Sequence, residues 1–257
     1  SATSKALTGS YNSKDVATAS IVTFDLSESD LNVGIGTLLS NYTLPTTVTT
    51  DGVITRADLS AVLGPVTKVY DGSASVVIDP SAVTLSGFVN DEGATVTGVT
   101  ASFNSKNVLQ ANTVTASVTK STGTGSTELD NYTLPTNFTA DGTITAKSLT
   151  VSIANAADKV YDGNANAQVQ LSANGVVDGD DISFSGSGSF VDKNVGQDKL
   201  VTLTELLASG ADISNYTYNH SATAQASITP RELTVSLQGT VIKRADGNTD
   251  ATLSSGN

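Results

Sequence analysis

Cysteine, methionine and tryptophan are all absent from the 257 residues, and each absence removes a class of chemistry. Without cysteine there is neither a disulfide framework nor a thiolate metal site. Without tryptophan, and with only 5% aromatic residues, few rings remain for stacking against a sugar. Basic residues are scarce as well. Thirteen Lys and Arg stand against 25 Asp and Glu, and the resulting net charge of -12 repels a phosphate backbone and an anionic lipid surface alike. Nucleic acid is therefore not an expected partner. No run of about 18 apolar residues occurs, so membrane insertion is not expected either. No basic-then-apolar leader opens the chain at Ser1, as expected of a mature or excised piece. The single histidine, His220, allows one Ser-His-Asp site at most, and no Gly-x-Ser-x-Gly elbow accompanies it. Catalysis is not expected.

What the chain does contain is repetition. Lys68-Val69-Tyr70-Asp71-Gly72 returns as Lys159-Val160-Tyr161-Asp162-Gly163 and, in degenerate form, as Lys243-Arg244-Ala245-Asp246-Gly247. Asn41-Tyr42-Thr43 returns as Asn131-Tyr132-Thr133 and Asn215-Tyr216-Thr217. Ser13-Lys14-Asp15-Val16 returns as Ser105-Lys106-Asn107-Val108 and Asp192-Lys193-Asn194-Val195. The period is 90 positions from Asn41 to Asn131 and 84 from Asn131 to Asn215. Solenoid repeats are shorter and cannot fold alone, whereas a unit of this size can enclose its own core.

Within each unit the pattern is that of strands. Apolar and small polar residues alternate over Thr95–Phe103, Thr113–Thr119 and Leu149–Ile153, which predicts half-buried strands. Asp-Gly pairs at Asp51-Gly52, Asp141-Gly142, Asp178-Gly179 and Asp246-Gly247 predict turns. The best helix candidate is Leu203–Ser209, a run of about two turns that Gly210 ends at once. The expected fold class is all-β: a tandem array of small sandwich-like domains of about seven strands. The expected division is 1–58 as the later part of one repeat, 59–148 and 149–232 as complete repeats, and 233–257 as the opening strands of a further one. An alternative phase is 1–88, 89–177 and 178–257. No Gly/Ser- or Pro-rich linker separates the units, which predicts a semi-rigid rod.

Taken in order and repeated, Val69-Tyr70-Asp71-Gly72, Val160-Tyr161-Asp162-Gly163, Phe190-Val191-Asp192-Lys193-Asn194-Val195-Gly196, Asn215-Tyr216-Thr217 and Ile228-Thr229-Pro230 resemble the YDG-type repeats of large bacterial surface and secreted proteins, including filamentous-haemagglutinin-like adhesins. The resemblance covers the whole chain, with Ala245 departing from the tyrosine. It implies an extracellular, immunoglobulin-like or β-grasp-like stalk module with no catalytic residue.

Each candidate residue has a structural reading and a functional one. Tyr70 and Tyr161, with Asp71-Gly72 and Asp162-Gly163, read as a ring covering a sheet end beside a turn, and Tyr42, Tyr132 and Tyr216 as corner tyrosines. Sugar contact is the alternative for both sets. Asp178, Asp180 and Asp181 read as a solvated turn, with calcium binding as the alternative and the only cofactor the sequence offers. Sequons at Asn41, Asn131, Asn137, Asn215 and Asn219 match the scatter expected of a Thr-rich composition. The expected function is an extracellular or cell-surface adhesin stalk supporting adhesion or biofilm attachment, its partners the neighbouring repeats of the same or adjacent chains. Two alternatives stay open: a filament subunit in which one chain's tail completes the next chain's head, and a module binding polysaccharide or a host surface directly.

Overall fold

The computed structural model describes residues 7–31 and 33–251. Ser1 and Asn257, and with them the outer bounds of the first and last expected segments, lie outside the described residues. The described chain is all-β: short 3-10 turns interrupt the strands, and no α-helix occurs among these residues. None of its helical turns is long and apolar enough to cross a membrane. By internal contacts it divides into two units, residues 1–147 with 214–217, and residues 148–213 with 218–257.

The first unit opens with β1 (Gly9–Tyr11), β2 (Ile21–Asp25) and β3 (Thr47–Asp51), an antiparallel sheet in that order. The complete repeat that follows holds β4 (Ala57–Asp58), β5 (Ser60–Leu63), β6 (Val66–Val69), β7 (Ser75–Val76), β8 (Val83–Ser86), β9 (Gly93–Phe103), β10 (Thr113–Thr124), β11 (Tyr132–Thr133) and β12 (Phe138–Thr145). Five of them form a mixed sheet in the order β6-β12-β10-β9-β7, while β5 pairs with β8 and β4 with β11. Leu63 and Val83 from the smaller pairing meet Val96, Ala116 and Val118 from the five-stranded sheet, so the core lies between the two layers.

The next complete repeat is built alike from β13 (Lys147–Ala156), β14 (Lys159–Val160), β15 (Asn166–Ala167), β16 (Val169–Asn174), β17 (Ser183–Phe190), β18 (Gly196–Ser209), β19 (Tyr216–Tyr218) and β20 (Thr223–Thr229). Its five-stranded sheet runs β14-β20-β18-β17-β15, position for position the order of the first. Ile153, Ala156 and Val169 pack from the second layer against Ala167, Phe190, Val201, Ala226 and Ile228. Residues 230–251 carry no strand or helix.

Register repeats as faithfully as order. Tyr11 faces Val22, Phe103 faces Val114, and Phe190 faces Val201 across the same antiparallel pair. Val114 and Val201 are fully buried. Bulges at Val118–Ser121 and at Ser187–Gly188 bend the long hairpins β9–β10 and β17–β18 and increase their twist. The predicted alternating segments all fall on strands. The helix candidate Leu203–Ser209 lies in β18, where its apolar residues alternate across the sheet.

Two turn predictions need correction. Asp141-Gly142 lies inside β12, and Asp51 closes β3 with Gly52 just beyond it. Neither glycine has a positive φ. Both are glycine because an aromatic ring covers them. A Cβ on Gly142 would come within 2.9 Å of Phe103 and Val114, and one on Gly52 within 2.7 Å of the Tyr11 ring. Gly142→Val is expected to destabilise the fold by about 1–3 kcal/mol through overpacking. Gly64→Ala, where an added Cβ meets nothing within 4 Å, should stay within about 0.5 kcal/mol. Urea denaturation of both variants checks the contrast.

Candidate functional site

The Tyr-Asp-Gly signature is organised around the lysine that precedes it. Lys68 Nζ donates to Asp71 Oδ1 at 2.7 Å, to the Ser73 carbonyl at 2.7 Å and to the Ser75 carbonyl at 2.8 Å. Lys159 repeats the pattern with Asp162 Oδ1 at 2.9 Å, the Asn164 carbonyl at 2.9 Å and the Asn166 carbonyl at 3.0 Å. The same aspartate oxygen accepts the backbone N–H two residues on, from Ser73 at 2.9 Å or Asn164 at 3.1 Å, closing an Asx turn. Gly72 and Gly163 take φ of +81° and +85°, which an L side chain resists. Each ammonium also lies over a core ring, 5.9 Å from the Phe103 centroid and 5.7 Å from that of Phe190.

This loop has an unusual place in the topology. β6 and β7 occupy opposite edges of the five-stranded sheet, as do β14 and β15. Four strand spacings in a flat sheet would separate such edges by about 19 Å. Lys68 sits on β6 and bonds Ser75 on β7, so the sheet is curled until its edges approach and one side chain staples them. The degenerate third copy keeps the chemistry without the tyrosine. Lys243 binds Asp246 at 2.9 Å, the Asn248 side chain, and the Asp250 carbonyl at 2.8 Å, and Gly247 has φ +83°. A fourth lysine, Lys199, braces the Asp192–Asn194 turn in the same way.

The Asn-Tyr-Thr and Ser-Lys-Asp/Asn-Val landmarks, far apart in sequence, come together. Asn131 Oδ1 accepts from the Val16 N–H at 2.7 Å, and its amide donates to Asp15 Oδ1 at 2.9 Å. Asn215 Oδ1 accepts from the Val108 N–H at 2.9 Å, and its amide donates to Asn107 Oδ1 at 3.4 Å. Each asparagine thus holds the loop of the repeat before its own. Asn215 is the one fully buried polar residue among those described, and Ser214–Thr217 group by contact with the first unit. The receiving loops are preshaped: Ser13 and Ser105 hydroxyls accept from the backbone N–H of Asp15 and Asn107. The neighbouring tyrosine adds to the latch. The Tyr216 ring meets Tyr70 edge-on at 5.3 Å. Tyr132 donates to Glu92 at 2.6 Å and accepts from the Val89 N–H, while burial and then that carboxylate raise its pKa.

The remaining candidates are not gathered into a site. Asp178 and Gly179 form a turn closed by Asp180 N–H to Val177 carbonyl, and the Asp181 carboxylate accepts from Ala211. Among the described residues no group of three or more His, Cys, Asp or Glu is placed to hold a metal ion. His220 is exposed, 5.1 Å from the Tyr218 ring. Three sequon asparagines, Asn131, Asn215 and Asn219, spend their side-chain amides on hydrogen bonds. A polar groove of about 670 Å³ beside Lys159 is lined by Asp158, Asp162, Asn164, Gln168, Ser187 and Thr204, among others, with no aromatic residue.

The YDG domain family model matches residues 55–140 and 145–225, more than half of the chain. The chain belongs to the YDG domain family. No curated protein and no solved structure matches it. In these YDG repeats the lysine and the latch asparagine carry roles that the motif's name does not mention. The signal was present in the sequence: lysine stands three positions before aspartate in all three copies, even where tyrosine is lost.

The Asp71 pKa is lowered, chiefly by Lys68, and the Asp162 and Asp192 values are lowered chiefly by Lys159 and Lys199. A carboxyl with a depressed folded pKa contributes stability that is complete above its ordinary value of about 3.9 and is lost as pH falls through the folded value. Acid should therefore weaken the fold only below about pH 4. Lys68→Met should cost about 1–3 kcal/mol at neutral pH by leaving the Ser73 and Ser75 carbonyls without their donor. It should also reduce the acid dependence, which urea titrations at pH 7 and pH 3 would measure.

Proposed function

We propose that the chain is a stalk of tandem YDG repeats that spaces an adhesive region away from a bacterial cell surface, extracellular and without catalytic activity. In this reading its units are immunoglobulin-like or β-grasp-like modules joined in line as a semi-rigid rod. The supporting observation is the asparagine latch, in which a buried side chain of one repeat satisfies a backbone N–H of the repeat before it. Such a contact resists bending between neighbours in a way that a bare linker does not. The acidic surface and the absence of cysteine suit a solvated, exported rod. A filamentous-haemagglutinin-like adhesin is the proposed parent, on the strength of the motif resemblance. Direct binding of a polysaccharide or host surface is the second reading. It rests on the polar groove beside Lys159, and a glycan array on the intact chain separates it from the spacer.

Small-angle scattering tests the stalk. A rod-like profile independent of concentration is expected, and a compact globular profile would rule the stalk out. Asn215→Ala leaves the half-buried Val108 N–H without a partner, at an expected cost of about 1–3 kcal/mol. It should also broaden the distance distribution by loosening one junction while each repeat stays folded.

A further inference from the structure

We propose that each complete repeat is a force-bearing module, and that its resistance to stretching resides in one place: the parallel ladder joining its opening segment to its last strand. This role rests on the stalk reading, because a tethered stalk is pulled along its chain.

The direction of the strands decides how such a pull is carried. In the first complete repeat β6 and β12 run parallel, with Val66 facing Gly142 and Val69 facing Thr145. At the entry to the same repeat β4 and β11 are parallel as well. β5 lies between β4 and β6 and pairs only with β8, so the load that passes it falls on β6. β12 is the last strand, and a single residue, Ala146, separates it from β13. Tension therefore draws β6 back toward Val66 and β12 forward toward Thr145. The two strands are pulled in opposite senses along their common axis, and every bond of the ladder is loaded at once. The next complete repeat has the same arrangement, with β14 parallel to β20 and Lys159 facing Ile228. The β9–β10 hairpin is the contrast: its open end lies at Gly93 and Thr124, and a pull applied there breaks its pairs one at a time.

Side chains brace the same ladder in both repeats. Tyr70 N–H donates to the Thr145 carbonyl at 2.9 Å, and Thr145 Oγ1 donates to the Lys68 carbonyl at 3.3 Å. Tyr161 N–H and Thr229 Oγ1 repeat this with the Thr229 and Lys159 carbonyls, at 2.9 and 3.3 Å. Lys68 and Lys159 stand on the loaded strands themselves, and their ammonium groups bond Ser75 on β7 and Asn166 on β15 at the far edge of the sheet. Sliding β6 or β14 must break those bonds too. Along β12 the partners divide: Phe138–Asp141 pair with β10, and Gly142–Thr145 with β6. Because the Thr145 carbonyl faces β6, the two-residue period of a strand turns the Thr143 N–H toward β6 as well, while the Thr143 residue is exposed.

Single-molecule stretching of the full chain, held by handles at its two ends, tests this role. Each complete repeat should unfold in one event of about 25–30 nm, set by its 84 or 90 residues at up to about 3.6 Å each. Thr143→Pro removes the N–H aimed at β6, and should lower the unfolding force of one event while the other stays as in the wild type. A second comparison keeps the ladder intact and changes the direction of pull. Because the chain has no cysteine, handles attached through Asp91→Cys and Ser126→Cys, in exposed turns at the open end of the β9–β10 hairpin, load the same repeat as a zipper. Pulling end to end should need about twofold more force than this, or greater still. Equal forces in the two directions overturn the force-bearing role and leave the stalk reading standing. A Thr143→Pro chain whose two repeats both unfold at wild-type force overturns it too. If Thr143→Pro leaves its repeat unfolded, the direction of pull still decides. A compact scattering profile, in contrast, removes the stalk without changing these forces.

Discussion

The lysine staple is the interaction on which the rest of each YDG repeat depends. A mixed five-stranded sheet whose two edge strands are joined by a short loop cannot stay flat, and the carbonyls of that loop are gathered by a cation. Lys68 and Lys159 supply that cation. Once the edges meet, β12 and β20 run parallel to β6 and β14, and the ladder continues into the tyrosine through Tyr70 N–H to Thr145 and Tyr161 N–H to Thr229. The rings of Phe103 and Phe190 then lie beneath the ammonium groups, over strands whose facing residues are Gly142 and Ala226.

The latch works on different terms. Its energy comes less from the strength of two hydrogen bonds than from the cost of leaving a half-buried N–H and, at Asn215, a buried amide unpaired. Asn215 therefore specifies its neighbour, because only a loop with a correctly aimed N–H and an oxygen beside it satisfies both ends of the side chain. Asp15 and Asn107 both provide that oxygen. At the first junction the carboxylate brings company: Lys14 pairs with Asp15 at 3.1 Å and lies 3.8 Å from Glu92, the acceptor of the Tyr132 hydroxyl.

Strand content, repetition and the signature positions were legible in the sequence because they are local: alternation marks a half-buried strand, and equal spacing marks a repeat. Partnership was not. Asn131 and Val16 are 115 positions apart, and Asn215 and Val108 are 107 apart, so nothing in a short window links them. The parallel pairing of β6 with β12 is hidden for the same reason. Asp141-Gly142 misleads in another way, since glycine can be chosen for φ or for absence of volume and the dipeptide looks the same in both cases. Lysine was in view throughout as part of the repeated motif but carried no assigned role, because the carbonyls it gathers belong to backbone and leave no mark on composition.

Every repeat that is complete carries both sides of the latch, the asparagine and the loop that receives one. The self-contained staple around Lys243, which forms outside any strand pairing, shows that the motif needs little beyond its own eight residues, Lys243–Asp250. A whole unit can therefore be gained or lost by in-frame recombination without any junction having to be reinvented. The number of units in such a chain is a quantity that unequal crossing-over can adjust directly, while the chemistry of each unit stays fixed.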